Sequence, residues 1–168
     1  MVTLFMFVDF NTISPGANDN LTGTYAAVCA LRMLDMAGVD FENTEVCAMI
    51  TDGEEAGLRG CKSWAKNHYD EYVNSGVETV VLCVDTLTDR EYLRVYNKDM
   101  TGTVKNNQQF SQLVMNASKD AGHDDIELSS VFFGSSDAAA FSQAGITATC
   151  LAAMDPRPAD YYLSLIHI

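Results

Sequence analysis

Basic residues are scarce in this chain. Ten lysines and arginines face 23 aspartates and glutamates, for a formal charge of -13. Such a surface repels nucleic acid and anionic membranes, and no basic stripe offsets it, so neither is expected as a partner. Histidine is scarce too, with three in all. None stands beside Ser14, Ser135 or Ser136, and there is no Gly-x-Ser-x-Gly elbow, so a serine or cysteine nucleophile has no support. No phosphate loop or dinucleotide fingerprint is present. No apolar run approaches a membrane span. The apolar start "MVTLFMFV" lacks a basic n-region and a cleavage site, and reads as a strand. The five cysteines form no C-x-x-C pair, and their odd count argues against a disulfide framework. Their apolar settings suggest small core residues in a reducing, cytoplasmic compartment.

What is present is a core. The chain has 168 residues, 48% of them hydrophobic, enough for one compact domain. Apolar runs over Val2–Val8, Thr44–Thr51, Glu78–Val84 and Ile146–Ala152 read as strands, with a weaker one at Tyr92–Tyr96. Helical spacing covers Asn20–Gly38, Leu58–Tyr69, Asn107–Ala121 and Ser136–Gln143. Strands apolar on both faces, alternating with helices, indicate an α/β fold with a largely parallel sheet. Sites in such folds gather beyond the carboxyl ends of the strands.

Acids fall at those ends. The first run leads to Asp9 and, past a turn, to Asp19. The second leads to Glu54 and Glu55, and the third to Asp85. If these strands are parallel neighbours, Asp19, one or both glutamates and Asp85 converge on one edge. Carboxylates sharing a small site repel strongly, and a divalent cation such as zinc relieves that. The pair then divides its work: one glutamate binds metal, its neighbour takes a proton from the metal-bound water. Each piece also has a plain structural reading. "EE" after a strand is more often a solvated loop, "PGANDN" a turn, and Asp85 a cap.

The combination resembles the zinc-dependent exopeptidases of the bacterial leucyl aminopeptidase and aminopeptidase Y type. That family includes glutaminyl cyclases and the non-catalytic transferrin-receptor ectodomain. Four segments carry the resemblance in order: "SPGANDNLTGTYAAVCALRML", "ITDGEEAGLRGCKSWAKNH", "VVLCVDTLTD" and "GSSDAAAFSQAGITAT". It implies a three-layer α/β/α domain with a mostly parallel mixed sheet. It further implies that Asp19 bridges two zinc ions, Glu55 binds one and Asp85 the other, and Glu54 is the general base. A cis peptide between Asp19 and Asn20 is implied as well. The implied activity is hydrolysis of N-terminal peptide bonds, on a peptide or amino-acyl substrate with a free N-terminus.

Two departures stand out. The family's upstream His-x-Asp is "FVD" here. Phe7, which cannot coordinate a metal, replaces the histidine ligand, and Asp9 keeps the place of its orienting partner. Near the C-terminus, Leu163 follows Tyr162 where the family has its second histidine. The last six residues, "LSLIHI", are the frame translation of CTGTCTCTTATACACATC, a transposon-end sequencing adapter. The expectation is therefore a catalytic domain over 1–162, incomplete at its C-terminus, with a non-native tail over 163–168. His167 is then no ligand. An exposed sheet edge near Ile146–Ala152 is expected, together with impaired zinc binding and activity. Two other functions remain open on this scaffold: a non-catalytic binding or structural homologue, and a glutaminyl-cyclase-like acyl transferase.

Overall fold

The computed structural model describes residues 15–132 and 134–154. The expected strand Val2–Val8, Phe7, Asp9, Tyr162, Leu163 and the 163–168 tail lie outside them.

An irregular turn, Ala17–Thr22, leads into α1 (Gly23–Met36). Next come α2 (Arg59–Asn67) and the single turn α3 (Tyr69–Tyr72). Strand β1 (Val80–Asp85), β2 (Leu93–Asp99) and β3 (Val104–Lys105) precede α4 (Gln108–Asp120). Strand β4 (Leu128–Ser130), α5 (Asp137–Gln143) and β5 (Thr147–Ala153) complete the described chain. The sheet runs β1-β5-β2-β3, with β4 also on β2. Pairing is parallel for β1–β5 over six positions and for β2–β4 over three. It is antiparallel for β2–β5 over four positions and β2–β3 over two.

Alternation along the strands sends side chains to two cores. On one face, Tyr96, Ala148, Cys150 and Ala152 pack with Leu58, Cys61, Ala65 and the buried α5 residues Ala138–Phe141. On the other, Val95 packs with Val114 of α4 and Ile126, joined by Leu93, Phe110 and Leu151. Helices therefore flank the sheet on both faces, as expected of the three-layer class. Helix α4 starts where the Asn107 side chain accepts from the Phe110 amide at 2.9 Å. A buried hydroxyl pair, Ser111 and Thr149 at 2.7 Å, pins it to β5.

Two expectations need correction. Thr44–Thr51 forms no strand among the described residues. An extended segment becomes a strand when a neighbour supplies its ladder, and no described strand pairs with it. Met49 still packs on the core, but Val46 and Ile50 are 45% and 62% exposed. Nor is β5 an edge. It lies between β1 and β2 because its residues are apolar on both faces, and among the described strands β1 takes the end of the path. The exposed Val80 and Leu82 lie on β1. The cysteines also divide: Cys61 and Cys150 are buried, Cys83 is partly buried, and Cys29 and Cys47 are exposed.

Candidate active site

Asp85 ends β1, and the turn that carries Asp19 is tied to that strand end by side-chain bonds of Asn18, Asn20 and Thr22. The Asn20 side chain donates to the Val84 carbonyl at 3.0 Å and accepts from the Gly23 amide at 2.9 Å and the Thr86 amide at 3.3 Å. The Leu87 amide donates to Thr22 Oγ1 at 3.1 Å, and the Thr88 amide to Asn18 Oδ1 at 3.3 Å. A turn whose own amides need partners thus serves as the partner of the loop after β1. Gly23 is required at this junction, because a Cβ there would collide with the Val84 carbonyl. The Asp19–Asn20 peptide is cis.

The glutamate pair sits in a compact turn and not on a strand. The Gly57 and Leu58 amides donate to the Glu54 carbonyl at 2.9 and 2.8 Å. The Arg59 amide donates to the Gly53 carbonyl at 3.0 Å, and the Gly60 amide to the Asp52 carbonyl at 3.1 Å. Gly60 is the second position where only hydrogen fits, since a Cβ would strike the Asp52 carbonyl. Leu58 then opens α2 with φ 61 and buries its side chain in the core.

These acids act on one another. Burial pushes the Glu54 carboxyl up to about 8, helped by the charges of Glu55, Asp137, Asp85 and Asp19. Burial, followed by the charges of Asp19 and Asp137, pushes Asp85 up to about 7, against a backbone hydrogen bond from Thr86. Glu55 is raised by burial and by Asp19. The structure therefore brings Asp19, Glu54, Glu55 and Asp85 into one electrostatic neighbourhood, and it adds Asp137. Asp137 opens α5 and accepts from Thr51 Oγ1 at 2.9 Å.

Sequence reasoning missed Asp137 and Thr51, and it named Asn20 only for its peptide bond to Asp19. Asn20 adjoins Asp19, and Asp137 stands in "GSSD", so both lay inside segments already singled out. Nothing in the sequence showed which atoms they meet. The two described histidines lie elsewhere: His68 caps α2 and bonds Glu71 at 2.9 Å, and His123 faces Arg90 at 3.0 Å. A cavity of about 360 Å³ between α2 and α5, lined by Lys62, Lys66, Tyr69 and Gln143, is separate from the acids.

The acids suit a cation in charge and donor type. Asp85 Oδ1 and Asp137 Oδ1 are buried without a hydrogen-bond partner, which is costly for a carboxylate unless a cation or donor approaches. They fall short in number. Among the described residues, no three His, Cys, Asp or Glu side chains are arranged to hold an ion. The same residues include no helix long and apolar enough to cross a membrane.

Comparison with known proteins agrees with this architecture. BSAP, a zinc aminopeptidase from Bacillus subtilis, superposes with a TM-score of 0.60 at 24% identity, covering 92% of this chain and 36% of that one. LapA from Legionella pneumophila superposes with a TM-score of 0.51 at 17% identity, covering 67% and 30%. At these identities the likeness is one of fold, and the chain spans about a third of their length. Among curated proteins none matches. Residues 4–164 match the sequence profile of Peptidase family M28. With the match running over nearly all of the sequence, the chain belongs to peptidase family M28.

Proposed function

We propose that this domain is a metallo-aminopeptidase-type hydrolase acting on the N-terminal bond of a peptide or amino-acyl substrate. The observation that carries this reading is the shared neighbourhood of Asp19, Glu54, Glu55 and Asp85, with a buried, unpartnered oxygen on Asp85. Asp19, Glu55 and Asp85 would hold zinc. Bound zinc supplies a Lewis acid that polarises the scissile carbonyl and acidifies a water. Glu54 takes the proton from the attacking water and returns it to the leaving amine. Without metal, burial and the neighbouring acids hold its carboxyl up to about 8; the positive charge of bound zinc would lower it and leave a carboxylate able to accept the proton. The surrounding negative charge favours a substrate with a free, protonated amine.

The chain as given has a weakened site, because Phe7 stands where the family resemblance places a histidine. A second reading, a non-catalytic homologue, draws on the same residue and on the lack of a three-donor group among the described residues. Zinc content after equilibrium dialysis, paired with hydrolysis of amino-acyl anilides, separates the two. Zinc uptake, with hydrolysis lost in Glu54→Gln while zinc is retained, supports the hydrolase. No zinc and no hydrolysis, in both this chain and Phe7→His, overturns it.

A further inference from the structure

The segment bearing the glutamate pair lacks a sheet ladder among the described residues. Its own turn bonds shape it but do not attach it to the rest of the domain. Among the described residues, attachment comes at a few points. Met49 lies against the core before the turn, and Leu58 and Cys61 enter the core after it. Between them, Thr51 Oγ1 donates to Asp137 Oδ2 at 2.9 Å, joining positions 86 residues apart.

Asp137 is itself firmly held. It is the first residue of α5, whose N-cap Ser136 is fully buried. Ser136 donates to Asp99 twice, from its amide at 2.9 Å and its hydroxyl at 2.6 Å. The next four residues, Ala138–Phe141, lie in the core. The Thr51 bond therefore links a segment with no ladder among the described residues to one of the better anchored points in the fold. A hydrogen bond to a charged acceptor is among the stronger ones available for this.

We propose that Asp137 is a positioning residue for the acid pair. Through Thr51 it fixes the Asp52–Gly60 turn, and with it Glu54 and Glu55, to the head of α5. Its importance for catalysis rests on the hydrolase reading above, but its geometry does not.

Native-state hydrogen exchange tests it on the chain itself. Thr51→Val keeps the side-chain volume and removes the donor. Exchange of the Gly57, Leu58, Arg59 and Gly60 amides should quicken on the order of tenfold, with α4 amides unchanged. Thr51→Ser, which restores the hydroxyl, should return the turn to wild-type protection. Asp137→Ala should quicken the turn as well, and adding Thr51→Val to it should change the turn little further, because the bond is already gone. The proposal is overturned if α4 and turn amides quicken together, if the turn is unaffected, or if Thr51→Ser behaves like Thr51→Val. Absence of zinc binding and hydrolysis in every variant would remove the hydrolase reading and leave the exchange result standing.

Discussion

Two aspartates end two strands of the same sheet, and they are treated in opposite ways. Asp99, at the end of β2, is fully buried and accepts four hydrogen bonds: from the Met100 amide at 2.7 Å, Ser135 Oγ at 3.1 Å, and the amide and hydroxyl of Ser136. Asp85, at the end of β1, has a buried oxygen with no partner and a carboxyl pushed up to about 7. A buried acid surrounded by donors is part of the scaffold. A buried acid surrounded by other acids is stabilised only when something else arrives. The contrast assigns Asp99 to the fold and Asp85 to the candidate site.

Substitution at the two positions should break or sharpen that contrast. Asp99→Ala should have the largest effect, a loss of about 3 kcal/mol or more in urea unfolding, because it leaves several buried donors unpaired. A loss below 1 kcal/mol would mean that the Asp99 network contributes little.

Asp85→Asn should act in the opposite direction. Without added metal it should raise stability by about 1 kcal/mol, since it removes a repelled charge. If zinc stabilises the unsubstituted chain against heat, as the proposed site requires, Asp85→Asn should abolish that gain. Destabilisation of the kind expected at Asp99 would place Asp85 with the scaffold instead.

Phe7→His tests the departure read from the sequence. One added imidazole donor should tighten zinc binding on the order of tenfold, read by competition with a chelator. Unchanged affinity would separate position 7 from the site.

The smallest effect belongs to the surface. Arg90 clasps Asp125 with bonds of 2.9 and 3.1 Å, and this hydrogen bonding holds the Asp125 carboxyl below its usual range. Stability from a depressed acid is present above its unfolded pKa and fades as pH falls through the folded one. Both side chains are more than half exposed, so Asp125→Asn should leave the melting temperature at pH 7 nearly unchanged. It should flatten only the acid end of a stability–pH curve, and a large shift at neutral pH would contradict the exposed reading.

Much of the fold was legible, for a physical reason. Helices α2, α4 and α5 and strands β2 and β5 each bury part of a periodic apolar face, and periodicity is what a sequence displays; α1 and β1 show it too, although α1 buries only Gly23 and β1 is at most partly buried. Strands β3 and β4, of two and three residues, are too short to show a period. Thr44–Thr51 has the composition of a strand, but composition does not reveal whether a partner lies alongside. In the site, Asp19, Glu54, Glu55 and Asp85 were legible because acids after apolar runs are conspicuous. The Asp99 network was not. In the sequence, Asp99 and Asp85 look alike, and only the serines brought round by α5 distinguish them.

The bond between Asn20 and Val84 joins residues 64 apart, and that between Thr51 and Asp137 joins residues 86 apart. Both therefore require closure of long loops, whose entropic cost is met only when most of the sheet is in place. Asp19, Glu54, Glu55 and Asp85 come from three stretches that an unfolded chain keeps apart. Their mutual repulsion is thus felt only near the end of folding. The site then serves as a marker of completion: a half-folded chain has the acids, but not the neighbourhood.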